Sequence, residues 1–233
     1  MKKHIFLTLF NILFTSIVFC YVFVAFKEKE KDYHIDEITV KRLNIVDESG
    51  EALRMVISNE TRQHSGILNG KEMPQRERPA GIIFFNSVGD ECGGLLYNGN
   101  DEQAGMVLSI DQYRDDQIMQ LQYQENTFDD KRKYGLQIWD YKKEDGFDER
   151  YERYLELNTI EDKELREQRI AEMKSDSLWM EDRMFVGKNF QNQVGLFIND
   201  QFGNARIRVY IDENDEPKFE LLDREGKVLG HKY

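Results

Sequence analysis

The stretch Gly195–Gly230, GLFINDQFGNARIRVYIDENDEPKFELLDREGKVLG, decides the fold. Apolar and polar side chains alternate with a period of two along Arg206–Ile211 and again along Phe219–Leu222, which is typical of half-buried β-strands. Turns of the form D-x-x-G separate these runs, at Asp200–Gly203 and at Asp223–Gly226. The Asp side chain can accept a hydrogen bond from the backbone two residues on, and Gly can adopt a positive φ. The stretch therefore predicts a β-meander of about four strands.

Weaker copies of the same strand–turn–strand unit recur upstream. They cover Asn44–Ile57, Phe84–Tyr97 and Ser109–Tyr123, and another copy begins at Leu136–Asp140. In the third copy, the turn glycine is replaced by Arg114. The copies are spaced too irregularly for a tight solenoid. So many short alternating runs predict a mainly β fold, as an antiparallel meander or hairpin-repeat sheet, a barrel or a sandwich.

Residues 5–26 form an uncharged apolar run behind a short basic N-terminus. A helix of this length spans about 33 Å, which is enough to cross the hydrocarbon core of a bilayer. The run therefore predicts one transmembrane helix in contact with the lipid bilayer. A cleaved secretory signal and a lipoprotein signal are the alternatives. The bulky Phe23 near the best cleavage site disfavours the first, and Phe19 before Cys20 disfavours the second.

The transmembrane prediction divides the chain in two. The anchor and a charged stem occupy residues 1–31, and a β-hairpin-repeat domain occupies residues 32–233. Lys2 and Lys3 favour an N-terminus inside the cell, whereas the three lysines of residues 27–31 favour the reverse. A short basic tail followed directly by an apolar run is typical of an export signal. We therefore expect a single-pass membrane protein whose domain is extracytoplasmic.

The charge of the chain excludes several classes of partner. The net charge is −12, and leaving out the five lysines and two glutamates of residues 1–31 gives −15 for the domain. Nucleic-acid binding needs a basic surface, so we expect no nucleic-acid partner. Binding of anionic lipid by the surface of the domain is disfavoured for the same reason. Cys20 and Cys92 are the two cysteines, and Cys20 lies in the apolar run, so no disulfide framework is expected.

Residues 60–79 form a long connection without a clear period. Connections of this length inside compact domains are uncommon and often functional. Positive charge gathers here in an otherwise acidic chain, which makes the segment a candidate binding loop for an anion or a partner. Its candidate residues are Arg62, His64, Lys71, Arg76 and Arg78. A solvated loop, in which three glutamates offset the charge, is the alternative interpretation.

The composition changes after Lys142 to Glu, Lys, Arg, Leu and Met. Helical spacing and i,i+4 ion pairs predict two helices, over 148–157 and 160–174, as an insertion between hairpins. Asn158 and Glu161 resemble the start of the second helix. An apolar stripe packs on the sheet or binds a partner; it consists of Phe147, Tyr151, Tyr154 and Leu155.

Motifs for catalysis are missing from the sequence. It contains no G-x-S-x-G elbow, no zinc spacing among its four histidines, no phosphate loop and no dinucleotide fingerprint. Asp212, Asn214 and Glu216 alternate as calcium ligands do, but Pro217 stands where that loop needs Gly. A carboxylate pair for glycoside hydrolysis cannot be chosen from sequence. We therefore predict no catalytic residue, no cofactor and no metal.

Several segments resemble a bacterial family. They are Asp200–Arg206, which reads D-x-x-G-x-x-R, together with Phe219–Gly226, Leu43–Asp47, Met55–Asn59 and Met184–Gly187. The resemblance is to uncharacterised bacterial proteins with one N-terminal apolar segment and a β-repeat body, and it spans most of residues 38–230. It implies the fold and the anchor, but no activity and no site residues. The turn at Arg114 and the long charged insertion depart from the family pattern.

These observations together predict a non-catalytic structural or interaction module of the cell envelope, with an envelope protein as its partner. Such a module requires an exposed apolar patch or an unprotected sheet edge. The first alternative is a domain that binds a small ligand or glycan through the 60–79 loop and the Gly93–Gly94 region, and it requires a concave pocket beside that loop. The second alternative is a carboxylate-dependent hydrolase.

Overall fold

The computed structural model describes residues 2–25, 34–141 and 146–230. The chain divides into two compact units, residues 1–39 and residues 40–233, which are described separately below. The charged stem predicted after the apolar run lies outside the described residues.

The first unit contains helix α1, Lys2–Ala25. Its segment Lys3–Tyr21 is long and apolar enough to cross a membrane, a test that a signal sequence also passes. The hydroxyl of Thr8 donates to the carbonyl oxygen of His4 at 2.9 Å, and Thr15 donates in the same way to Asn11. Bonds of this kind keep the hydroxyl groups of the apolar segment paired.

The second unit is mainly β and is built from fourteen strands and two helices among the described residues. In chain order the strands are β1 Arg42–Val46, β2 Leu53–Ser58, β3 Ile67–Leu68, β4 Lys71–Glu72, β5 Ala80–Phe85, β6 Glu91–Gly99, β7 Gln103–Asp111, β8 Gln117–Asn126, β9 Lys131–Tyr141, β10 Met180–Lys188, β11 Val194–Asn199, β12 Ala205–Ile211, β13 Pro217–Leu222 and β14 Val228–Gly230. The helices are α2 Phe147–Thr159 and α3 Lys163–Ser175.

Twelve of the strands form one antiparallel sheet in the order β1-β2-β5-β6-β7-β8-β9-β10-β11-β12-β13-β14. Each strand pairs with its neighbours along the chain, so the sheet is a continuous meander, and β3 and β4 form a separate small hairpin. The order ends at β1 and β14, and the described residues form an open sheet with no closed barrel. The predicted mainly β meander is confirmed, including its four C-terminal strands.

One type of turn closes five of the hairpins. In each, the side-chain oxygen of an Asp or Asn accepts from the backbone N–H groups two and four residues further on. The five residues are Asn86, Asn189, Asp200, Asp212 and Asp223. The fourth position has a positive φ in all five turns and is Gly89, Asn192, Gly203, Asp215 and Gly226. This is the turn chemistry that the D-x-x-G pattern predicts.

The turn chemistry accounts for the acidic segment that resembles a calcium loop. Asp212 accepts from the backbone of Asn214 and Glu216, both at 2.9 Å. The bond from Glu216 is the main cause that holds the pKa of Asp212 below its ordinary value. No group of His, Cys, Asp or Glu among the described residues is arranged to hold a metal ion.

Two local predictions need correction. The turn of the third copy, expected from Asp111 to Arg114 by the D-x-x-G pattern, begins instead at Gln112, whose N–H donates to the carbonyl oxygen of Asp116 at 3.0 Å. The second inserted helix begins after Asp162, whose carboxylate accepts from the N–H of Leu165 at 2.9 Å. Asn158 instead lies in the last turn of α2. An ionised Asp caps a helix N-terminus at least as well as Asn, which favours the later start.

Two small apolar clusters support the second unit. Val56, Ile83 and Phe85 are buried on one face of the sheet. Leu157, Met173 and Leu178 are buried where α2 and α3 pack together. The helical insertion therefore has a core of its own.

Glycines bring neighbouring strands unusually close together in the second half of the sheet. Gly135, Gly187 and Gly195 are opposite one another on β9, β10 and β11. A Cβ atom added to Gly187 would lie 2.1 Å from the carbonyl oxygen of Tyr134. β6 and β7 are equally close at Gly93, because a Cβ on Gly93 would lie 2.2 Å from the carbonyl oxygen of Ser109.

We predict that Gly187→Ala lowers the free energy of unfolding by at least about 3 kcal/mol, because it adds a backbone clash to a strained φ of +152°. Gly105→Ala is the matched control. Its Cβ would meet only the carbonyl oxygen of Tyr123, at an ordinary 3.5 Å. We expect this control to stabilise the chain by up to about 1 kcal/mol. Chemical denaturation of both variants checks the prediction, and equal effects would contradict it.

Candidate functional site

The predicted binding loop is ordered against the sheet. Gln63 is buried, and its side-chain amide donates to the carbonyl oxygens of Pro79 and Gly81 at 3.2 and 3.3 Å. The ring of His64 packs edge-on against Phe85, with 5.0 Å between the ring centroids. The segment is therefore a cover over one apolar cluster of the sheet.

Arg78 points into the interior rather than into solvent. It forms two parallel hydrogen bonds with the carboxylate of Glu91, at 2.7 and 2.9 Å, and both side chains are buried. It also donates to the carbonyl oxygens of His64 and Ser65 at 3.3 and 3.4 Å. A two-pronged pair of this kind ties the loop to β6. The charge of Arg78 is therefore already matched.

His64 is also part of the interior. Its Nδ1 atom accepts from the N–H of Gly66 at 2.9 Å. Burial is the main cause that holds the pKa of His64 below its ordinary value, and the charge of Arg42 acts in the same direction. A neutral ring is consistent with this acceptor role.

The three remaining candidate residues are exposed, but they do not share one environment. Lys71 forms an ion pair with Asp148 at 3.0 Å, which links the loop to α2. Arg76 lines a cavity between the loop and the helices, and Arg62 lies in a short 3-10 turn. The five predicted residues thus divide between the interior, an ion pair, a cavity wall and a 3-10 turn. Anion binding by the loop as a whole stays a prediction.

The cavity beside Arg76 has a volume of about 380 Å³ and lies where the loop, the ends of β8 to β10 and the inserted helices meet. Five of its wall residues are aromatic, and three of these belong to the stripe of α2; the five are Tyr141, Phe147, Tyr151, Tyr154 and Trp179. Its other wall residues are Leu68, Met73, Arg76, Asp116, Gln117, Arg150, Met173, Leu178 and Met180. This volume lies within the range of small-molecule sites, about 300–1,000 Å³. We call this space the aromatic cavity.

Arg150 anchors the aromatic cavity. It is 8% exposed, and its Nη2 atom donates to the buried carboxylate of Asp115. Its guanidinium lies over the ring of Tyr141, 4.1 Å from the centroid, and also faces Phe147. Its Nη1 atom has no hydrogen-bond partner among the described residues. This ion pair joins α2 to the turn between β7 and β8.

The residue spacing along α2 indicates which of its side chains face the cavity. Phe147, Arg150, Tyr151 and Tyr154 are separated by three, one and three residues, so they share one helix face. The sequence pattern identified the aromatic members but not Arg150. The sequence gives no local signal for Asp116 or Trp179, because strand pairing brings them to the cavity.

Burial raises the pKa of Asp116, which lines the cavity, and of Asp111 nearby. The pKa of Asp111 is raised to about 7 by burial, followed by the nearby charges of Glu91 and Asp116. Its Oδ1 atom is buried without a hydrogen-bond partner among the described residues. Neither Asp111 nor Glu91 lines the aromatic cavity. A glycoside hydrolase requires two carboxyl groups that face one cleft. Asp111 and Glu91 do not form such a pair, because Glu91 is already paired with Arg78.

We predict that Asp111→Asn stabilises the chain increasingly as the pH rises. The folded-state pKa is raised, so the charged carboxylate destabilises the fold, and this cost appears as pH increases from about 4 to about 7. The difference in unfolding free energy between variant and wild type should grow by about 2–3 kcal/mol from pH 5 to pH 8.

Urea denaturation at both pH values measures this difference. Asp101→Asn, at an exposed turn, is the control and should show no comparable growth. A constant difference for Asp111→Asn would contradict the perturbed pKa.

A second surface is larger than the cavity. One apolar side chain from each of eleven consecutive strands of the sheet is aligned in a single cross-strand row. The row consists of Leu43, Ile57, Ile82, Leu95, Leu108, Leu121, Leu136, Val186, Leu196, Val209 and Phe219. We call it the central row. It contains no charged or polar side chain.

The rows on either side of the central row are also apolar. One consists of Ile45, Met55, Phe84, Gly93, Ile110, Met119, Ile138, Met184, Ile198, Ile207 and Leu221. The other consists of Ala80, Tyr97, Met106, Tyr123, Tyr134, Lys188, Val194, Ile211 and Pro217, with Lys188 as its one charge. The three rows together are the apolar face.

The apolar face is open to solvent. Leu121 is 57% exposed, Tyr97 56% and Val209 42%. From the strand and residue spacings of a sheet, the face measures roughly 50 Å by roughly 20 Å, or roughly 1,000 Å². Contiguous exposed apolar patches of this size mark interaction sites.

No family model, curated protein or solved structure matches this chain. The bacterial family resemblance stays a prediction, and the function is argued from the geometry of the two surfaces.

Proposed function

We propose that the protein is a membrane-anchored, non-catalytic interaction module whose apolar face packs against the apolar face of a second copy. The observation that carries this proposal is the central row, in which eleven strands in succession present an apolar side chain to solvent. A mainly β domain normally buries such a face.

The size of the face favours a stable dimer. A standard interface buries about 800 Å² on each partner, and the apolar face offers roughly 1,000 Å². The central row brings no charge that association would have to desolvate. Lys188 belongs to an outer row, where its long side chain can extend to the rim of an interface. Burial of apolar area is favourable at about 25 cal/mol per Å² before the costs of association are subtracted.

The chemistry of the face favours a second copy over other occupants. Two sheets with apolar faces stack about 10 Å apart, as in β-sandwiches, and a two-fold axis makes one surface complementary to itself. The acidic domain, at −15, would be repelled by an anionic lipid surface. An anchor shared with the same membrane would raise the effective concentration of each copy.

Leu121→Lys should convert the dimer into a monomer, because it places a charge in the middle of the central row. Gln124→Lys is the matched control. It introduces the same charge three residues along β8, at an exposed position on the opposite face. Sedimentation of the detergent-solubilised full chain distinguishes monomer from dimer.

We expect a dimer for wild type and for the control. If Leu121→Lys alone loses the dimer, the apolar face, and not contacts between α1 helices, holds the two copies together. A monomeric wild type, or a dimer that survives Leu121→Lys, would contradict the proposal.

We further propose that α1 is retained as a single-pass anchor and that the domain lies on the extracytoplasmic side, in the cell envelope. The uncharged run of residues 5–26 and the short basic segment before it support this placement. Protease added to intact cells should cut the domain while α1 stays with the membrane fraction. Protection until the membrane is lysed would reverse the proposed orientation, and a fully soluble mature chain would show that the segment is a cleaved signal.

A further inference from the structure

We propose that the aromatic cavity binds a neutral carbohydrate ring. The cavity is separate from the apolar face, and this proposal does not depend on dimer formation. It is drawn from three features of the cavity walls: aromatic faces, balanced charge, and a mixture of hydrogen-bond donors and acceptors.

Aromatic faces supply the apolar part of the site. Phe147 and Tyr151 are stacked, with 5.8 Å between ring centroids and 14° between ring planes, so the buried ring of Phe147 packs against the partly exposed ring of Tyr151. Tyr154, one turn further along α2, is 51% exposed at the mouth of the cavity. Aromatic faces carry partial negative charge. They therefore attract the weakly positive C–H groups on the flat side of a sugar ring.

Basic and acidic residues are equal in number at the cavity walls and directly behind them. The positive charge of Arg150 is matched by Asp115 directly behind it. Arg76 and Asp116 are the remaining basic and acidic wall residues, and burial raises the pKa of Asp116. A charged ligand would have to give up its hydration without meeting a net opposite charge, which is costly. A neutral ligand avoids this cost.

The polar wall residues offer both hydrogen-bond roles. Arg76 can only donate, the carboxylate of Asp116 accepts, and the amide of Gln117 does both. A hydroxyl group also donates and accepts. Several hydroxyls on one ring can therefore be satisfied by this set, whereas a purely apolar ligand would leave these groups unpaired.

The test is titration of the full-length chain in a detergent without a sugar headgroup, followed by calorimetry or ligand-detected NMR. The neutral probes are glucose, N-acetylglucosamine, cellobiose and chitobiose, and the charged comparison probe is benzoate. We expect at least one neutral sugar to bind and benzoate to bind more weakly.

Two variants of the cavity mouth test the site itself. Tyr154→Ala should weaken sugar binding by about tenfold, the value expected for loss of one aromatic contact. Arg76→Met should also weaken it, and because both side chains are exposed we expect the melting temperature to stay unchanged. Tyr97→Ala, a tyrosine 56% exposed on the apolar face, is the matched control and should bind as wild type does.

Binding of none of the four sugars, stronger binding of benzoate, or sugar binding that survives both variants would overturn the proposal. The dimer measurement on Leu121→Lys is independent of these outcomes, so failure of either proposal can be recognised separately.

Discussion

Strand register is the constraint on which the rest of this structure depends. A slip of one residue in any strand would move its apolar side chains to the other face of the sheet. The repeated Asp and Asn turns fix the length of the connection in five hairpins, since one side-chain oxygen accepts from two backbone N–H groups of the same turn. Register held in this way aligns Leu196 with Val186 and with Val209, and the same alignment continues across eleven strands. The apolar face is the direct product of that alignment.

The segments added to the meander are held by buried ion pairs. Arg78 and Glu91 hold the 60–79 loop, and Arg150 and Asp115 hold the helical insertion. Buried pairs of this kind contribute little net stability, but removing one partner is strongly destabilising, so they define position more than they add stability. The loop and the insertion meet at the aromatic cavity, where Lys71 joins Asp148. The cavity thus depends on pairings outside the meander itself.

Much of the meander could be predicted from the sequence because its signals are local. Alternation and D-x-x-G turns lie within a few residues and identified the four C-terminal strands, and helical spacing with i,i+4 ion pairs identified the helical insertion. The cavity could not be predicted, because Asp115 and Arg150 are 35 residues apart and meet only through strand pairing. The buried position of Arg78 could not be predicted for the same reason, because its partner Glu91 lies on β6, the second strand after Arg78. Arg62, Lys71 and Arg76 are exposed to solvent, as their charge predicts.

Photo-crosslinking in native membranes tests the central claim most directly. The substitution Leu121→p-benzoylphenylalanine places a photoreactive group in the middle of the central row, and the crosslinked product identifies whatever covers it. We expect a product of twice the 27.7 kDa chain mass, in which both peptides come from this chain. A crosslink to lipid or to a different protein, or no crosslink at all, would contradict packing of the apolar face against a second copy.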